Sequence, residues 1–127
     1  MEIGTLKTNG VHLADHEYDT VKLLTEKGYD IELIPPSAIK GLRMPDIMIN
    51  SVPWEIKSPT GNGKHTIKHN LQNATHQSNN VIIDLRRCKL PEDQALSEIQ
   101  RRFDLSKRIR NMKVITADEK IIDLNKS

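Results

Sequence analysis

GLRMPDIMINSVPWEIKSPTGNGK, residues 41–64, holds two short β runs around a turn and then a glycine-containing loop. Two short runs, Asp46–Asn50 and Trp54–Lys57, alternate apolar and polar residues as half-buried strands do. A hairpin turning at Ser51-Val52 sets Asp46 opposite Lys57, Ile47 opposite Ile56, Met48 opposite Glu55 and Ile49 opposite Trp54. Ile47, Ile49, Trp54 and Ile56 then share one apolar face, and Asp46, Glu55 and Lys57 share the other. Slipping one strand by a single residue would expose its apolar set, so burial favours keeping these faces.

Two readings of the charged face are open. It is either a solvated face with a cross-strand lysine–carboxylate pair, or a site. Two carboxylates and an ammonium suit phosphodiester cleavage: Asp46 and Glu55 offer hard oxygen ligands for Mg2+ or Mn2+. Such an ion activates water and polarises a phosphoryl oxygen. Lys57 can orient the water or offset charge growing on the phosphate. The Gly-containing loop Ser58–Gly63 leads to a helix N-terminus beside this face, where free N–H groups and the helix dipole favour an anion.

Working outward, Asp15 reads as the N-cap of a first helix carrying Val21 and Leu24, closed at Gly28. Residues 1–13 are an irregular or short β lead-in, and Tyr29–Ile34 is a strand ended by Pro35-Pro36. A second helix covers about Lys64–Ser78, with Ile67, Leu71 and Ala74 as its buried stripe. Val81–Leu85 is an apolar strand. A third helix has Pro91 in its first turn, carries Leu96, Ile99 and Phe103, and runs to Arg108. Lys113–Thr116 and Lys120–Leu124 close the chain as short β runs. The expected fold is α/β (α+β): one domain over 1–127, a mixed central sheet flanked by helices, restriction-endonuclease-like.

The 127 residues suffice for one core without staples, and the single cysteine, Cys88, excludes an intrachain disulfide or a CxxC site. No segment approaches the ~18 apolar residues of a membrane helix, and MEIGTLKTNG lacks a signal-peptide apolar region. Any export would need a larger parent polypeptide or a signal-independent route. The formal net charge is only +2, yet Arg101, Arg102, Lys107, Arg108, Arg110 and Lys113 crowd together against Asp104 alone. That run is either a solvated face or a phosphate-facing patch.

Pro45-Asp46 followed by Glu55-Ile56-Lys57 resembles the PD-(D/E)xK nuclease superfamily. The wider string over residues 13–90 comprises a helix with Glu17, Gly28 before a strand, GLRMPD, WEIKSPTGNGK, Asn70, Ala74, Gln77 and Ser78 on a helix, then NVIIDLRRCKL. It is similar to the C-terminal tRNase toxin domains of contact-dependent growth inhibition proteins and related bacterial polymorphic toxins. The resemblance implies a nuclease, delivered as the end of a secreted or surface protein, acting in the bacterial cytoplasm, preferring tRNA to DNA and neutralised by a cognate immunity protein. It assigns the catalytic motif to Asp46, Glu55 and Lys57, with Asp46 and Glu55 as metal ligands, and matches Glu17 to a helical acid and Gln77 to a polar helix position.

Other residues compete for roles. Glu17 shares a stripe with Val21 and Leu24, so it is either drawn towards the sheet or left exposed in a salt bridge. Thr66, Asn70, Asn73 and Gln77 form a polar stripe on the second helix that either faces solvent or lines the cleft. With Lys64, Lys68 and His69, this stripe is the candidate nucleic-acid contact. His65, His69 and His76 support a rival chemistry: a metal-free ribonuclease in which His, Lys and Thr of helix 64–78 act as acid, base and phosphorane stabiliser. His65 and His69 could also hold zinc. A non-catalytic nucleic-acid-binding module is a further alternative. Asp84 either supports Lys57 and the metal shell or caps a sheet edge. The phosphate-loop pattern fails at Ser58 and His65.

Overall fold

The computed structural model describes residues 2–126. Its elements are β1 (Leu6–Lys7), α1 (Asp15–Glu26), β2 (Ile31–Leu33), β3 (Ile47–Ile49), β4 (Val52–Lys57), α2 (Thr66–Ala74), β5 (Asn80–Asp84), α3 (Glu92–Leu105), β6 (Asn111–Ile115) and β7 (Ile121–Asn125). The strands form one mixed sheet in chain order. β1–β2, β4–β5 and β5–β6 are parallel; β2–β3, β3–β4 and β6–β7 are antiparallel.

The sheet has helices on both faces. Val21 and Leu24 of α1 bury Ile31, Leu33, Ile47, Ile49, Trp54, Ile56, Ile82 and Ile115. Ile67, Leu71 and Ala74 of α2, with Ala95, Ile99 and Phe103 of α3, bury Val81, Ile83, Met112 and Val114 on the opposite face. The expected apolar stripes therefore point inward, and the sheet alternation assigns each β residue to one of two cores. No helix of the described residues is long and apolar enough to cross a membrane.

The hairpin corrects the expected register. Ile47 pairs with Trp54, Met48 with Pro53 and Ile49 with Val52, so the turn is Asn50-Ser51 rather than Ser51-Val52. Both turn residues have positive φ, 50° and 68°, the backbone of a tight two-residue hairpin. In such a hairpin the closing pair is hydrogen-bonded and the next is not. That alternation lets Pro53, which has no N–H, occupy the strand. The slip is two residues, so every side chain keeps its expected face while its partner changes. Ser51→Gly should stabilise the fold by about 1 kcal/mol, because only glycine adopts this φ without steric cost. A urea midpoint unchanged or lowered by the substitution would show that the turn imposes no strain.

Several element ends also differ from expectation. Ala14, not Asp15, is the N-cap of α1, and its N–H donates to Glu17 Oε1 at 3.3 Å. Gly28 closes the helix as expected at φ +100°. α2 stops at Ala74 and continues only as turns through Gln77. α3 ends at Leu105 instead of Arg108, because Ser106 becomes extended and its Oγ accepts the N–H groups of Arg108 and Ile109. Pro91 lies at the N-cap of α3, one position before the first turn.

Candidate active site

Continuing the β3–β4 register by one pair places Asp46 opposite Glu55, in a non-hydrogen-bonded position where side chains approach most closely. Two backbone bonds hold Asp46 in place: its carbonyl accepts from Ile34 N–H at 3.0 Å, and its Oδ2 accepts from Ile56 N–H at 2.9 Å. Glu55 and Lys57 follow on the same face of β4, beside Val81 and Ile83 of β5. Lys57 Nζ lies 3.4 Å from Glu55 Oε2. The strands thus bring the three motif residues to one side of the sheet, the side covered by α2 and α3.

Glu55 is 4% exposed, and removing a carboxylate from water disfavours its charged form. Burial, then the neighbouring Asp46 carboxyl, pushes Glu55 up from 4.5 to about 8, although Lys57 offsets part of the rise. At this degree of burial Glu55 is not part of a solvated face, while Lys57 beside it stays partly exposed.

Glu55 Oε1 is buried and accepts no hydrogen bond. An unsatisfied buried carboxylate oxygen is costly, and a hard divalent cation shared with Asp46 would satisfy it. The donor chemistry therefore fits Mg2+ or Mn2+. Among the described residues no group of three or more His, Cys, Asp or Glu side chains is placed to hold a metal. The protein would supply two carboxylates, and the ion would complete its oxygen shell from phosphate and water, as magnesium commonly does. The same finding leaves His65 and His69, whose rings lie 5.8 Å apart, without a third such ligand for zinc.

The remaining candidates separate by position. Glu17 is engaged at the N-cap of α1, and α1 packs on the opposite sheet face from Glu55 and Lys57. On α2, with Ile67, Leu71 and Ala74 pointing into the core, helical periodicity puts Thr66, Asn70 and Asn73 on one flank and Lys64 and Lys68 on the other. Lys64 and Lys68 line cavities shared with α3, so the first flank is the one turned towards β4. Asn70 Nδ2 donates to its own helix at Thr66 O, 2.9 Å away. Gln77 follows on the same side in the turn after α2, with Oε1 buried and unpartnered. His69 and Asn73 are exposed.

Asp84 belongs to the α1 side. It accepts from Thr20 Oγ1 at 2.6 Å and from Arg86 at Nε and Nη2, so it neither supports Lys57 nor simply caps an edge. Thr20 lies beside Glu17, Val21 and Leu24 on the inner face of α1, but no local pattern marks it as the partner of Asp84. Lys113 also leaves the basic run: its Nζ lies over the rings of Tyr29 and Trp54, at 4.7 and 5.2 Å, and bonds Asp123 at 2.7 Å. Arg87, missed in the sequence, fixes the loop after Lys57 by donating to Ser58 Oγ and Ser58 O.

The profile of a family described as "Contact-dependent growth inhibition CdiA C-terminal domain" matches residues 43–121, more than half of the chain. A solved structure described as "CdiA-CT/CdiI toxin and immunity complex from Burkholderia pseudomallei" matches with a TM-score of 0.71, over 97% of this chain and 100% of that one. The identity is 15%, so this likeness concerns the fold. Comparison with curated protein sequences gives no match.

Proposed function

Because the chain belongs to the contact-dependent growth inhibition CdiA C-terminal domain family, we propose that it is a toxin nuclease that cleaves phosphodiester bonds at Asp46, Glu55 and Lys57. The observation that carries this reading is the packing of two carboxyls and an ammonium on one sheet face, with Glu55 Oε1 buried and unpartnered. The positions also fit the PD-(D/E)xK motif, with Pro45-Asp46 leading into β3 and Glu55-Ile56-Lys57 on β4. The substrate proposed is tRNA in preference to DNA, the site of action the cytoplasm of a target bacterium reached through a surface protein, and the partner a cognate immunity protein.

Asp46 and Glu55 would hold Mg2+ or Mn2+, which supplies Lewis-acid polarisation of the scissile phosphate and activation of the attacking water. The Ile56 N–H fixes Asp46 before substrate arrives, so little reorganisation is needed. Burial keeps bulk water from Glu55 and strengthens its electrostatic interactions. Lys57, partly exposed beside Glu55, is placed to donate to a phosphate oxygen as negative charge grows. Gln77 and the half-buried Thr66 flank of α2 would line the cleft, whereas Glu17, bound at the N-cap of α1 across the sheet, takes no part in it.

Incubating the purified chain with total tRNA and with plasmid, in magnesium and in chelator, tests the reading. Cleavage of tRNA that needs magnesium and disappears in Glu55→Gln is expected. A chelator-resistant cut that survives Glu55→Gln and is lost in His69→Ala would instead support metal-free ribonuclease chemistry. Tight binding of tRNA without any cut would support the non-catalytic module.

A further inference from the structure

The flank of α2 that faces away from the catalytic strands borders a groove of about 470 Å³ against the end of α3. Lys68, Arg102, Lys107 and Arg108 line it, together with His76 and Leu105, and no carboxylate does. Arg102 is neutralised by Glu98 at 2.7 Å, but among the described residues Lys68, Lys107 and Arg108 form no ion pair. An adjoining cavity of about 430 Å³ extends the basic surface with Lys64, His65 and Arg101, against Glu98 alone. Clustering of this kind, rather than the net charge of +2, is what attracts a polyanion.

The groove is held in shape. Ser106 Oγ accepts the N–H groups of Arg108 and Ile109, while Ser106 O accepts from Lys126 Nζ, which also sits over the Phe103 ring. Lys107 and Arg108 are therefore presented from an ordered turn. His76 provides continuity with the site: it also lines a cavity of about 360 Å³ with Gly41, Leu42 and Arg43, the segment that enters the Pro45-Asp46 strand. Basic side chains thus run from the groove, past the end of α2, towards the first catalytic acid.

We propose that this groove seats the sugar–phosphate backbone of the nucleic acid next to the bond being cut, so that α2 separates an anchoring flank from a cleaving flank. The inference rests on the nuclease reading and adds the surface that positions the substrate. An α-helix with its side chains is about 10–12 Å across, so the anchoring and cleaving flanks lie within reach of one bound strand.

Fluorescence anisotropy with labelled tRNA and with a short DNA duplex, in chelator and over a salt series, tests it on the full chain. Lys107→Ala/Arg108→Ala and Lys68→Ala are compared with Lys22→Ala/Lys27→Ala, which removes two exposed charges on α1 and just beyond its end, on the other side of the sheet. The double groove variant should weaken binding roughly tenfold and lower the slope of log K against log salt by about 2, one for each phosphate that is no longer neutralised. Lys68→Ala should lower it by about 1, and the α1 pair should match the parent. The tRNA and DNA arms identify which backbone is bound, weaker binding in either supporting the groove. Unchanged affinity and slope in both groove variants, with circular dichroism confirming the fold, would overturn the proposal while leaving the nuclease reading intact. A parent that binds and cuts neither nucleic acid would overturn both. Groove variants that lose only a partner protein, with nucleic-acid binding retained, would reassign the surface and overturn the proposal.

Discussion

Glu55→Gln should abolish cleavage and at the same time stabilise the protein at neutral and alkaline pH. In the proposed site Glu55 would help hold the cation, and its loss would forfeit several kcal/mol of transition-state stabilisation, a thousandfold or more in rate at about 1.4 kcal/mol per decade. The opposite effect on stability follows from burial. Glu55 is raised from 4.5 to about 8 in the folded chain, so the fold binds its proton more tightly than the unfolded chain does. The stability this contributes is fully present below pH 4.5 and is lost as pH rises through about 8. Glutamine has no such dependence. Urea midpoints of parent and variant should lie close together near pH 5 and separate towards pH 8, the variant being more stable by on the order of a few kcal/mol. Midpoints that stay parallel over that range would show that Glu55 is ionised at little cost, and the account of the cluster would fail with it.

Asp84→Ala should be the most destabilising single substitution in the polar interior, by about 3 kcal/mol. Asp84 is 2% exposed and joins α1 to the sheet through Thr20, itself fully buried. Burial pushes the Asp84 carboxyl up, but hydrogen bonds from Arg86 and Thr20 outweigh it, and the net direction is below 3.8. Its contribution is therefore present above pH 3.8 and lost as pH falls through the folded-state value, opposite in sense to Glu55. The alanine variant leaves the Thr20 hydroxyl without its partner, while Arg86, whose side chain is 22% exposed, can turn to water and limit the loss. Chemical denaturation at pH 7 and pH 3 checks both parts: a large deficit at pH 7 that shrinks at pH 3. Equal deficits at both would show that the network contributes through packing alone.

Which parts of this architecture can be read from the sequence follows from the range of the forces involved. The stripes Val21–Leu24, Ile67–Leu71–Ala74 and Ile99–Phe103 are local, so three helices and the two faces they cover are legible. The hairpin shows the boundary. Placing the turn at Ser51-Val52 sets it one residue too late, whereas Asn50 is a residue type that tolerates positive φ and in fact opens the turn. Because the resulting slip is even, Asp46, Glu55 and Lys57 keep their common face, but the direct partner of Asp46 becomes Glu55 instead of Lys57. The cluster is therefore legible as a set of residues and not as a geometry.

What was not legible is long-range. Thr20 meets Asp84 across 64 positions, and Lys113 turns from the basic run into a pocket between Tyr29 and Trp54. Neither pairing leaves a local pattern. The two flanks of α2 are an intermediate case: helical spacing separates Thr66, Asn70 and Asn73 from Lys64 and Lys68, but only the packing of α3 reveals that the lysines border a groove.

Calorimetric titration of Mn2+ into the purified chain tests the central claim, that Asp46 and Glu55 form a shared cation site, independently of turnover. One ion per chain is expected for the parent, with binding lost in both Asp46→Asn and Glu55→Gln and retained in Ser51→Gly. Equal Mn2+ binding by parent and Glu55→Gln, or none by a parent that still cuts tRNA, would contradict it.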